Sequence, residues 1–134
     1  GFHTNAAKQL KVLIQDASSG AADETTTYLD FGTTPLFNAN EDTKKIFSTN
    51  LLVPQVFTLT TDSVECFING NGPFVNSVSI PLGFKVDTSG NFRILATLIE
   101  NFDNSTMLQL EDKAHNMFHD LRYGFYQFYV SNAT

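Results

Sequence analysis

Cysteine occurs once in the 134 residues, at Cys66, so the chain can form neither an internal disulfide nor a cysteine-built metal cluster. Tryptophan is absent, and any stacking on a ligand would fall to the 13 Phe and 4 Tyr. That much bulky apolar surface argues against intrinsic disorder. Charge is scarce as well: Asp, Glu, Lys and Arg make up 16% of the chain, against roughly 25% in an average domain. With 14 acids against 8 bases the net charge is -6, which repels nucleic acid and anionic membranes. No apolar run approaches the roughly 18 residues of a membrane-spanning helix.

What is abundant is neutral and polar. Fifteen Thr, 12 Asn and 9 Ser far outnumber the bases. Thr, Phe, Val and Ile suit a pleated, half-buried surface, and Asn, Ser and Gly suit tight connections. A length of 134 residues fits one domain with one core. The expectation is a single all-β domain over residues 1–134 that works outside the cell, with residues 1–8 a disordered or tag-derived start. Gly1-Phe2-His3-Thr4 carries neither an initiator Met nor a leader, so a removed signal and an excised piece both remain open.

Alternation places the strands. Leu10–Gln15 is a short apolar run that stops at the turn cluster Asp16-Ala-Ser-Ser-Gly20, and Thr25–Phe31 then alternates. Asn40–Phe47 has the capping Asn and early acids of a single helical turn. Strand patterns resume at Gln55–Thr60 and Val64–Asn69, then stop at Asn69-Gly-Asn-Gly-Pro73. A long run, Val75–Val86, contains Pro81, which marks a sheet edge or a bulge. Asp87–Asn91 reads as a hairpin turn to Phe92–Ile99, and Met107–Leu110 and Phe125–Val130 complete the set. About eight strands at this spacing predict an antiparallel β-sandwich, jelly-roll-like in character.

A series of short segments carries a family resemblance. In order they are Asp23-Glu-Thr25, Asp42-Thr-Lys-Lys-Ile-Phe47, Pro54-Gln-Val-Phe-Thr-Leu59, Ile68-Asn69, Ile80-Pro-Leu-Gly-Phe-Lys85 and Ser89-Gly-Asn-Phe-Arg-Ile94. Ala96-Thr97, Leu110-Glu-Asp112, Asp120-Leu-Arg122 and Tyr126-Gln-Phe128 follow. In these the chain resembles the β-sandwich region that precedes the C-terminal sorting domain in Bacteroidetes proteins exported by the type IX secretion system. The resemblance implies a β-sandwich and a secreted or cell-surface location. None of its segments is catalytic. Physically, Leu110-Glu-Asp112 offers carboxylates to loop N–H groups, and Asp120-Leu-Arg122 offers an ion pair across a connection.

Candidate sites divide into several chemistries. His115 and His119 have the four-residue spacing of two metal ligands on one helix face, but no Glu follows His115, and both read as solvated loop residues. Glycoside hydrolysis would need two of Glu65, Glu100, Glu111 and Asp112 in one cleft. Cys66 reads as a small core residue. No catalytic residue and no cofactor is assigned, although Asp16-Ser19-Asp23-Glu24, Asn38-Asn40-Asp42 and Asp87-Ser89-Asn91 hold the hard oxygens of a structural calcium site. In the last strand, alternation sends Phe125, Gln127 and Tyr129 to one face and Tyr126, Phe128 and Val130 to the other. Tyr123, Gln127 and Tyr129 are the candidate ligand-binding residues, a ring under a pyranose with an amide on its hydroxyls. Asp62-Ser63-Val64 resembles a Bacteroidetes O-glycosylation acceptor at Ser63, and Asn104-Ser-Thr106 and Asn132-Ala-Thr134 match the N-glycosylation sequon.

The functional expectation is a non-catalytic, secreted or cell-surface module, a spacer, adhesion or accessory domain. Its partner would be a polysaccharide or a cell-surface glycan. The alternatives are a self-assembling structural jelly roll, with contacts through Pro81 and the aromatic last strand, and a small glycoside-active enzyme.

Overall fold

The computed structural model describes residues 8–29, 36–50, 52–70 and 78–131. Among these there is no helix, and none long and apolar enough to cross a membrane. The ten strands are β1 Lys8–Asp16, β2 Ala22–Leu29, β3 Thr43–Lys44, β4 Gln55–Leu59, β5 Glu65–Gly70, β6 Leu82–Lys85, β7 Gly90–Glu100, β8 Gln109–Asp112, β9 Met117–Asp120 and β10 Tyr126–Val130. Seven run in the order β10-β7-β1-β2-β5-β4-β6, with β3 added on β5. β8 and β9 form a separate two-stranded sheet. Lys8 already belongs to β1, so the expected disordered start is one residue too long at that end; the rest of it, residues 1–7, lies outside the described residues.

The all-β expectation holds, but the large sheet is mixed. β2 and β5 run parallel, with Thr26 opposite Ile68 and Tyr28 opposite Gly70. Ile68 also pairs with Thr43 of β3, and Cys66 pairs with both Lys44 of β3 and Thr58 of β4. A strand residue has only two edges, so β2 and β4 share one edge of β5 and β3 takes the other. The N-terminal half of β5 therefore belongs to one run of strands and its C-terminal half to another, and the sheet bends there. Thr25 Oγ1 reinforces the corner by donating to the carbonyls of Phe67 and Cys66 at 3.0 and 3.2 Å. Curling brings the two ends of the sheet together, and the rings of Phe84 on β6 and Phe128 on β10 lie 5.3 Å apart. The result is a half-barrel.

Its interior is built by alternation. Val12 and Ile14 of β1, Phe92 and Ile94 of β7, and Val56 and Val86 form the buried cluster, with Leu10, Leu82, Leu110, Phe128 and Val130 packed on it. Each fully buried side chain of this kind contributes roughly 1.5–3 kcal/mol. On the other face of β4, Phe57 lies over Gly83 and meets Phe47 edge-on at 5.6 Å. Cys66 is fully buried.

Several local expectations need correction. Asp87–Asn91 is not a hairpin turn, because β6 pairs with β4 while β7 pairs with β1 and β10. That connection crosses from one run of strands to the other, which a turn-residue pattern does not reveal. The turn before β3 is built on Asn38, not Asn40. The Asn38 carbonyl accepts the N–H groups of Glu41 and Asp42, and its side chain accepts that of Asn40 at 2.9 Å. Of the long run Val75–Val86, only Leu82–Lys85 is a strand, residues 71–77 being outside the described residues. Pro81 stands just before this edge strand, where its missing N–H costs no ladder bond, and its carbonyl accepts the Leu59 N–H at 3.0 Å.

Candidate functional site

Strand β10 lies against β7, with Gln127 opposite Arg93 and Tyr129 opposite Asn91. Successive side chains point to opposite faces, so Tyr126, Phe128 and Val130 turn inward and are half-buried. Phe125, Gln127 and Tyr129 turn outward, and Tyr129 is 56% exposed. The register places Asn91 and Arg93 on the same outer face. The Arg93 guanidinium lies 4.3 Å from the centroid of the Phe125 ring, and its Nε donates to Gln127 Oε1 at 3.0 Å. Stacking and that hydrogen bond fix the orientation of both side chains. Tyr123 stands in the turn before β10, 76% exposed, its N–H donating to the Asp120 carbonyl. Gly124 beside it has φ +72°, a conformation that favours glycine. Asn91 and Arg93 escape sequence reading because they join the face through cross-strand register, which one sequence does not encode locally.

The hairpin β8–β9 places the histidines. His119 is a strand residue, not a loop one; its Nε2 is 3.0 Å from the Gly124 carbonyl and its ring is 5.9 Å from that of Tyr126. His115 is in the turn, with Nδ1 2.7 Å from Asp112 Oδ2. The four-residue spacing is therefore not a helix face. Asp112 also accepts the Tyr126 hydroxyl at 2.7 Å and the His115 N–H at 3.2 Å. Burial alone would raise the Asp112 carboxyl, but the bonds from Tyr126 and His115 outweigh it and hold it below the usual carboxylate value. The same contact, with burial first, pushes the Tyr126 hydroxyl up to about 12.

Other candidate groups are drawn to separate partners. Glu65 sits on β5 beside Lys85, Glu100 ends β7, and Glu111 and Asp112 follow each other on β8. Asp16 Oδ1 accepts the Ser18 and Ser19 N–H groups, Asp23 pairs with Lys45 and accepts the Val56 N–H, and Glu24 accepts the Thr97 hydroxyl. Asp42 is buried and accepts the N–H groups of Asn38 and Gly70. Ser89 donates to the Ser131 carbonyl. No group of three His, Cys, Asp or Glu placed to hold a metal occurs among the described residues. Arg122 does not pair with the Asp120 carboxylate through its guanidinium, which donates instead to the carbonyls of Asp103 and Thr106 at 2.7 and 3.1 Å. The Asp120 side chain accepts the Arg122 backbone N–H, so the expected ion pair is a carbonyl clamp.

Ser63 is exposed at the tip of the β4–β5 turn with φ 64°, next to Asp62, whose carboxylate accepts the Phe37 N–H. Asn104–Thr106 lies in a turn, and Asn132 is outside the described residues. The chain matches no protein-family model, no curated protein and no solved structure.

Proposed function

We propose that the chain is a non-catalytic module of a secreted or cell-surface bacterial protein, of the kind exported by type IX secretion. In this reading it binds carbohydrate through Gln127 and Tyr129, with Tyr123 at the entrance to their strand. The observation that carries the reading is one row of side chains on the outer face of β7 and β10. An exposed Tyr129 ring is flanked by Asn91, Arg93 and Gln127, and Arg93 and Gln127 are locked to each other. A flat ring offers a pyranose its apolar face, while the amides and guanidinium suit its hydroxyls.

The finer architectural reading is a jelly-roll-like sandwich. It is supported by the packing of Val12, Ile14 and Phe92 against Val56 and Val86. A glycan array, followed by pull-down on insoluble polysaccharides, tests the binding half. Retention is expected for the native chain and loss for Tyr129→Ala and Gln127→Ala. Silence across broad panels would leave only the spacer role. The self-assembling alternative draws on one observation, the end position of β10 in its sheet with Phe125 and Tyr129 exposed. A strict monomer by light scattering at micromolar concentration would remove it.

A further inference from the structure

The outer row of β7 and β10 holds a guanidinium whose far edge is unpartnered. Arg93 is pinned twice, by the Phe125 ring against its guanidinium plane and by the bond from Nε to Gln127 Oε1. Neither contact uses the Nη groups, and neither Nη atom is hydrogen-bonded to another described residue. Among the described residues no carboxylate pairs with Arg93, although acids outnumber bases 14 to 8. Glu24 stands two strands away on β2 and accepts the Thr97 hydroxyl at 2.6 Å. Arg122, by contrast, is turned onto the carbonyls of Asp103 and Thr106, and Lys45 and Lys85 face Asp23 and Glu65.

Register defines what surrounds that edge. Arg93 lies opposite Gln127 on one side and Gln15 of β1 on the other, so the guanidinium stands between two amide residues in a row across three strands. The neighbouring row, two residues along, pairs Tyr129 with Asn91. Two residues of strand span about 7 Å. A pyranose lying on the Tyr129 ring therefore reaches Arg93 through a substituent, not through its ring. A guanidinium meets that substituent with paired N–H groups, a fork that matches a carboxylate better than a single hydroxyl. The Phe125 stack and the Gln127 bond hold the fork in place beforehand, so little side-chain freedom is lost on binding. Charge elsewhere sets the other limit. A net charge of -6 repels a polymer that carries an acid on every residue.

We propose, on the carbohydrate reading above, that the ligand is a glycan with isolated uronic acid residues among neutral sugars. The uronate ring covers Tyr129, and its carboxylate is held by the Arg93 Nη groups.

Methyl β-glucuronide and methyl β-glucoside are the probes, alike except that one carries a carboxylate where the other carries a hydroxymethyl group. Each is titrated into the full chain at pH 7, with the amide resonances of Asn91, Arg93, Gln127 and Tyr129 as the readout. The glucuronide is expected to bind about fivefold tighter, the upper range for an ion pair in partial contact with water. Arg93→Gln should abolish that ratio, and Arg93→Lys, which keeps the charge without the fork, should retain only part of it. Amide resonances outside the row, unchanged in both variants, separate this loss from a loosened fold. Equal binding of the two sugars, or a ratio that survives Arg93→Gln, overturns the acidic-sugar assignment and leaves the carbohydrate reading standing. Sodium acetate binding as tightly as the glucuronide overturns it as well, because the row would then take any small anion. Absence of saturable shifts with both sugars also overturns it, and the carbohydrate reading is then decided by the polysaccharide pull-down alone.

Discussion

The Asp112 carboxylate accepts the Tyr126 hydroxyl at 2.7 Å, and this bond ties the β8–β9 hairpin to the end strand of the half-barrel. Asp112 has its folded value depressed below 3.8, so its contribution is complete above that value and is lost as pH falls through the folded one. Tyr126 has its folded value raised from 10.0 to about 12, so its contribution is complete below pH 10 and is lost as pH climbs toward 12. Tyr126→Phe should cost about 1–2 kcal/mol at pH 7, the worth of a hydrogen bond to a charged group with partial solvent access. Urea unfolding at pH 7, 3 and 11 checks this. The native chain should lose stability at both extremes and the variant should lose less; equal losses would remove the role given to the pair.

Gly83 is required by its neighbour. A Cβ at this position would overlap the Phe57 ring, which lies over Gly83 from the paired position on β4. Gly83→Ala should therefore push Phe57 off Phe47 and destabilise the fold by about 1–3 kcal/mol, the usual cost of overpacking. Adding Phe57→Leu should recover part of that loss, because the smaller side chain leaves room for the methyl. Denaturation midpoints of the two single variants and the double variant decide it.

Cys66 should be chemically silent in the folded chain. It is fully buried, and burial, followed by the negative charges of Asp42 and Asp62, pushes the thiol up to about 11. Thiolate is the reactive species, so almost none exists at pH 8. A thiol-specific chromogenic reagent should therefore find no reactive group in the native chain at that pH and one after denaturation. Rapid labelling of the native chain would contradict the buried position.

These residues show how far the sequence could be read. The apolar run of β1 and the alternation of β2, β4 and β10 are local, and the last of these correctly separates Phe128 from Tyr129. The parallel pairing of β2 with β5 is not local, because it depends on a corner built from Thr25 and the carbonyls of β5. The Met107–Leu110 pattern overlaps the first half of β8, but β9, its hairpin partner, escapes the sequence for another reason. Met117 and Phe118 are both exposed, so the strand has no burial alternation to betray it. At the candidate site, Tyr123, Gln127 and Tyr129 were legible from their own segment, whereas Asn91 and Arg93 required the register of β7.

The ion pair of Asp23 and Lys45 should respond unequally to loss of each partner. The Lys45 side chain is 4% exposed and the Asp23 side chain 21% exposed, and the same Asp23 oxygen accepts the Val56 N–H at 2.8 Å. Asp23→Ala leaves a buried ammonium without a counter-charge and a backbone donor without an acceptor, and should cost about 3–5 kcal/mol. Lys45→Met fills the same space with an apolar chain and leaves Asp23 partly solvated with its Val56 bond intact, so a cost of about 1–2 kcal/mol is expected. Combining the two should be milder than Asp23→Ala alone, because the stranded charge is gone. Urea unfolding of the three variants tests the asymmetry, and a Lys45→Met cost equal to or above that of Asp23→Ala would mean that the carboxylate, not the ammonium, bears the burial.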